Sequence, residues 1–190
     1  MARRGAERRQ ITVMFSDLVG STALSEQLDI EDMSALLRAY REAAGAVVAR
    51  YDGHIAQYLG DGLMIYFGWP RAHEDDVARA VHAGLAIVAA VARVPAPAPL
   101  EVRIGIATGP VVVGTSGSGD AAMPTLAVGE TPNLAAMVQG EARAGEVVLA
   151  DATRRLAGGA FDCDDRGEAV LKGIVEPVRV WRGIQPVEKG

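Results

Sequence analysis

Lysine is nearly missing from this chain: Lys172 and Lys189 are the two present in 190 residues, and the formal net charge is −5. A nucleic-acid-binding surface needs clustered basic residues, so that class of partner is not expected. Arg3, Arg4, Arg8 and Arg9 make a small basic stretch at the start, read as a solvated tail over 1–10. Cysteine occurs once, as Cys163, which rules out an internal disulfide and suits a reducing compartment, so the cytoplasm is the expected location. Long apolar runs are absent too. The longest, Ala83 to Ala92, falls far short of the roughly 20 residues of a membrane span. Asp17 interrupts the apolar run behind the N-terminal arginines, so no signal peptide is visible. What is present is 49% hydrophobic and 23% charged residues, the balance of a globular protein with a sizeable core. One domain is expected over 11–185, with a short tail at 186–190.

Ile11–Asp17 reads as a strand apolar on both faces, hence central in its sheet. From Glu31 to about Tyr51 the apolar residues Met33, Leu36, Leu37, Tyr40, Ala44, Val47, Val48 and Tyr51 form one helical stripe. His54–Leu59 and Leu63–Phe67 read as strands joined by the tight turn Gly60-Asp61-Gly62. A second amphipathic helix is expected from about Glu74 to Ala92, then a proline-stiffened linker and a strand over Val102–Thr108. Gly109-Pro110 is read as a hairpin turn before Val111–Gly114, and Thr115–Asp120 as a Gly/Ser-rich loop. Thr125–Val128, Glu146–Leu149 and Val178–Ile184 read as strands; Gly129–Glu141 and Asp151–Leu156 read as helices. The opening order β-α-β-β-α-β is the ferredoxin-like pattern. The expected fold is α+β: a ferredoxin-like core with appended strands and a helix, a mostly antiparallel central sheet, and helices on one face.

Chemistry is expected first at Phe15-Ser-Asp-Leu-Val-Gly-Ser-Thr22. Backbone N–H groups of a turn and helix start, here Gly20, Ser21 and Thr22, favour anions, while the carboxylate of Asp17 can hold an accompanying cation. Taken alone, Asp17 is equally well a helix cap, and Asp61 alone is more simply a hairpin turn residue. In a β-α-β-β arrangement, however, the hairpin lies beside the first strand and the two carboxylates can meet. Paired carboxylates beside a phosphate-binding turn are what two divalent cations require. Magnesium is satisfied by one or two carboxylates plus substrate phosphates.

The segments Phe15–Thr22, Leu59-Gly-Asp-Gly62, Val102-Arg-Ile-Gly-Ile-Ala-Thr-Gly109, Val128-Gly-Glu-Thr-Pro-Asn-Leu-Ala-Ala136 and Leu171-Lys-Gly173 occur in an order and spacing that resembles the catalytic domains of class III adenylyl and guanylyl cyclases. The resemblance runs from Ile11 to about Gly183. It implies cyclisation of a purine nucleoside triphosphate, with ATP the expected substrate and GTP the alternative, to a 3′,5′-cyclic monophosphate with release of pyrophosphate, using two Mg or Mn ions. It also implies a head-to-tail homodimer with the active sites at its interface, in a family often coupled to regulatory domains. Asp17 and Asp61 match the family's metal-binding aspartates, and the Leu18 carbonyl would be a further ligand. Asn133 matches the residue that positions the ribose, and Lys172 the lysine that contacts the triphosphate.

Three positions depart from the family pattern. Gln57 stands where a purine-contacting lysine is usual. Leu126 stands at the base-specificity position, with the polar Thr125 beside it. Met137, one helical turn after Asn133, stands where the family places an arginine that stabilises the phosphoryl group in flight, and no Lys or Arg occurs from Ile104 to Ala142. These departures keep a second reading open, a nucleotide-binding or regulatory module whose catalysis has decayed. A diguanylate cyclase is disfavoured because no acid follows Asp61 in Leu59-Gly-Asp-Gly-Leu63.

Overall fold

The structure is a computed structural model that describes residues 7–116 and 123–187; for 114–116 and 123–128 the backbone path alone is described. The Gly/Ser-rich stretch over Thr115–Asp120 lies largely outside the described residues, as do the side chains of Thr125 and Leu126.

The first strand, β1 (Glu7–Leu18), is apolar on both faces and serves two cores. Met14 and Leu18 enter one, Ile11 and Val13 the other, as side-chain alternation along a strand requires. The helix α1 (Ser21–Gln27) follows at once, then α2 (Ile30–Arg50). Asp29 caps α2 by accepting the Asp32 N–H at 2.8 Å. The stripe read from the sequence is the buried face of α2: Leu36, Tyr40, Ala44, Val47 and Val48. The hairpin β2 (His54–Leu59) and β3 (Gly62–Phe67) turns through Gly60-Asp61. Next come α3 (Asp76–Ala92), β4 (Val102–Ser116), β5 (Met123–Val128), α4 (Glu130–Gln139), β6 (Val147–Ala150), α5 (Asp151–Ala157), β7 (Phe161–Ala169) and β8 (Val178–Pro186).

The strands form one sheet in the order β2-β3-β1-β4-β6-β8-β7, with β5 paired to β4. The β4–β6 pair is parallel and the other pairs are antiparallel. Its β2-β3-β1-β4 part is the ferredoxin-like core, and the fold is α+β as expected.

Three local expectations change. Gly109-Pro110 is not a hairpin: β4 runs straight through it, with Gly109 opposite Ile11 and Pro110 opposite Gln10. That pairing draws Glu7–Gln10, within the stretch read as a tail, into β1. The helices also occupy both faces of the sheet. α2 and α3 pack over Met14, Ile65 and Ile106, whereas α4 packs on the opposite face through Ala135 and Val138, with Val13, Tyr66 and Val148. Finally, β7 has no counterpart among the expected strands. It alternates poorly and carries Asp162, Asp164, Asp165, Arg166 and Glu168, a polar strand at the edge of the sheet.

Gly105 is what lets α4 sit so low. A Cβ there would stand 2.2 Å from the Gln139 nitrogen and 2.6 Å from the Ala135 carbonyl oxygen. The first turn of α4 is pinned to the same strand, where the Thr131 hydroxyl donates to the Pro110 carbonyl at 3.0 Å.

Candidate functional site

Asp17 is the penultimate residue of β1, in register with Gly62 of β3 on one side and Arg103 of β4 on the other. The turn after β2 carries Asp61, and the Leu18 N–H donates to the Asp61 carbonyl at 3.3 Å, tying the turn to the strand end. The Asp17 and Asp61 side chains are thereby brought close enough to influence each other's charge. Asp17 is half-buried, and its pKa is raised to about 6. Burial is the main cause, followed by the hydrogen bond to Asp61 and its charge; the Leu18 N–H and the Arg103 guanidinium act the other way.

Such a pair fits divalent cations. Two carboxyls that repel when both are charged are relieved when a cation takes the place of the proton between them. Among the described residues no group of three or more His, Cys, Asp or Glu side chains could hold a metal. Further ligands would therefore come from backbone and phosphate oxygens, the sparse arrangement that magnesium accepts. The three histidines are engaged elsewhere: His73 with Asp52 at 2.6 Å, His54 edge-on to Trp69, and His82 against Tyr51 and Phe161.

Helix α1 begins three residues after Leu18. Its N-terminal residue Gly20 takes a left-handed φ of 72° with no side-chain cap, and its carbonyl accepts from Leu24. The first-turn N–H groups around Gly20, Ser21 and Thr22 thus stand beside the carboxylate pair, unpaired within the helix ladder. Gln57 is in register with Met64, and Met64 with Phe15, two residues before Asp17. Gln57, Asp17 and Arg103 accordingly project from the α4 side of the sheet.

Asn133, Met137 and Lys172 form a second cluster. Asn133 and Met137 sit at i and i+4 on the face of α4 turned away from Gly105. Lys172 is presented by a turn: Leu171 is buried as an anchor, Gly173 takes a φ of 84°, and the Ile174 N–H closes on the Leu171 carbonyl at 3.1 Å. With Glu130, Ala136, Gly173 and Ile174 these residues line a cavity of about 330 Å³, of which neither Asp17 nor Asp61 forms a wall. Lys172 is the single cation in that lining, and Met137 packs partly against the core beneath.

The reading of single residues missed Arg103. It lies inside a segment already singled out, but its place beside Asp17 depends on strand register, which local spacing does not disclose. Of the remaining expected residues, Leu18 is buried at the end of β1.

The chain matches the family model described as "Adenylate and Guanylate cyclase catalytic domain" over residues 5–182. It is 31% identical to adenylate cyclase 1 of Rhizobium meliloti, over 98% of this chain and 30% of that protein. It spans less than a third of the length of the curated relatives it matches. Among solved structures it resembles the adenylyl cyclase CyaB of P. aeruginosa, with 30% identity and a TM-score of 0.88 over 95% of this chain and 96% of that one. The guanylyl cyclase Cya2 is similar at 32% identity and a TM-score of 0.89, over 97% and 96%.

Proposed function

Because the chain belongs to the adenylate and guanylate cyclase catalytic domain family, we propose that it is a purine nucleotide cyclase. It converts ATP, or GTP, to the 3′,5′-cyclic monophosphate and pyrophosphate, as a head-to-tail homodimer in the cytoplasm, coupled to regulatory segments. The observation that carries this reading is the Asp17–Asp61 contact beside Arg103. Asp17, Asp61 and the Leu18 carbonyl would hold a pair of Mg or Mn ions there, which would supply Lewis-acid chemistry for attack by the 3′-hydroxyl and departure of pyrophosphate.

The chain's own residues divide the remaining tasks. Asp17 and Asp61 face the cations from β1 and from the β2–β3 turn. The N–H groups of Gly20, Ser21 and Thr22 cradle phosphate oxygens, with Arg103 adding positive charge on the same side. Asn133 orients the ribose and Lys172 binds the triphosphate. The two clusters line different parts of one chain's surface, which supports a site assembled from the Asp17 half of one protomer and the Asn133 half of the other. Gln57, with Thr125 and Leu126, meets the base. An amide that both donates and accepts need not separate adenine from guanine, so Gln57 leaves the choice of base open, with ATP the preferred substrate.

A second reading, a nucleotide-binding module with weakened catalysis, is favoured by Met137. That side chain offers no charge where phosphoryl transfer gains most from one. One experiment decides between the two: cyclic nucleotide formation from ATP and from GTP, with Mg and with Mn, by the native chain and by Met137→Arg. The native chain is expected to form product, and the arginine to raise turnover at least about tenfold, within the range of such donors. Metal-dependent nucleotide binding without product from either protein would establish the second reading instead.

A further inference from the structure

Two consecutive residues of α2, Tyr40 and Arg41, each fasten one half of the carboxylate pair. Tyr40 is fully buried, and its hydroxyl shares a 3.1 Å hydrogen bond with the hydroxyl of Ser16, the residue before Asp17. Burial pushes the phenol up to about 12, so it stays a neutral hydrogen-bonding group. Arg41 donates from a terminal guanidinium nitrogen to the carbonyl of Gly60, the residue before Asp61. Its guanidinium lies 5.2 Å from the centre of the Tyr58 ring, which holds the plane in place. Gly60 is exposed and left-handed, with a φ of 64°, and a Cβ there would meet nothing within 4 Å. Core packing thus does little to fix the turn that carries Asp61; beyond the Leu59–Gly62 pair that closes the hairpin, the Arg41 bond and the Leu18 N–H restrain it.

We propose that Tyr40 and Arg41 act as a positioning clamp that sets the separation of Asp17 and Asp61 and so the affinity for divalent cations. One helix residue addresses the strand, its neighbour addresses the turn, and α2 serves as the rigid spacer between them. Supporting groups of this kind commonly change metal affinity by about 10–100-fold. The inference rests on the metal-binding reading of the aspartates, and the test keeps the two apart.

Mn binding is measured by electron paramagnetic resonance on the whole chain, with 3′-deoxy-ATP present, a nucleotide that lacks the attacking hydroxyl. The native chain should bind Mn and Asp17→Asn should lose it; failure here overturns the metal reading and the clamp together. Given that binding, Arg41→Met is expected to weaken Mn about tenfold with a melting temperature within a few degrees of native. Arg41→Lys should recover part of the loss, and Tyr40→Phe should weaken Mn in the same direction. In an Asp61→Asn background, Arg41→Met should add little, because the group it positions is already changed. Unchanged Mn affinity in folded Arg41→Met, or an equal loss in the Asp61→Asn background, would overturn the clamp while leaving the metal site standing.

Discussion

A carboxyl whose pKa rises on folding sets the charge of the site against the stability of the chain, and Asp17 is in that position. Its ordinary value of 3.8 becomes about 6 in the fold. Between those values the folded chain binds more protons than the unfolded one, so this group's contribution to stability falls as pH rises. Below 3.8 both states are protonated and nothing is lost; above 6 the full cost is present. Asp17→Asn removes the titrating group and keeps a donor for Asp61. Without metal, it should therefore melt a few degrees higher than the native chain at about pH 7.5, the gain shrinking toward about pH 4. An equal shift at both pH values would show that ionisation of the half-buried Asp17 carboxyl is not what costs stability. Asp17 and Asp61 were legible in the sequence because one ends an apolar strand and the other sits between two glycines. Arg103 was not, because the residue it neighbours lies across a strand pair. The roles of Tyr40 and Arg41 were hidden for a similar reason: the stripe that identifies α2 accounts for Tyr40 as core and for Arg41 as surface.

The elements that position the site depend on close approach more than on propensity. Gly105 has no backbone angle that requires glycine, yet a Cβ would meet the Gln139 nitrogen at 2.2 Å and the Gln139 Cα at 2.5 Å, both backbone atoms of α4. Gly105→Ala should push α4 off the sheet and cost at least about 2 kcal/mol in urea unfolding, the scale of overpacking a tight contact. Gly45→Ala is the control: its nearest neighbour would be Ile55 Cδ1 at 3.8 Å, inside α2. There alanine should be neutral or stabilising by about 0.5–1 kcal/mol. Equal effects at the two glycines would remove the case for α4 being seated by Gly105. Helix periods and the Gly60–Gly62 turn could be read locally, and α2, α3, β2 and β3 came out near their expected bounds. Gly109-Pro110 could not, because the same dipeptide that suits a turn also suits a strand in which the missing Gly109 side chain makes room for Thr131 in the first turn of α4. The strand β7 was equally hidden: its pairing with β8 is fixed by partners such as Trp181 and Arg179 and not by an apolar alternation of its own.

At the scale of the whole molecule, the chain carries two separate residue clusters. The carboxylate pair, Arg103 and Gln57 lie at the strand ends, while Asn133, Met137 and Lys172 line a separate cavity. The order of the motifs made the family legible before any coordinates, since five segments keep their spacing over nearly the whole chain. That the two clusters belong to complementary halves of a dimeric site is the central claim, and mixing variants tests it most directly. Asp17→Ala disables one half and Asn133→Ala the other, so each homodimer should be nearly inactive. In an equal mixture, half the dimers pair one of each and carry one intact site, so activity with Mn should return to roughly a quarter of the native level. A mixture no more active than its two components, with mixed dimers demonstrated, would contradict a site shared between protomers.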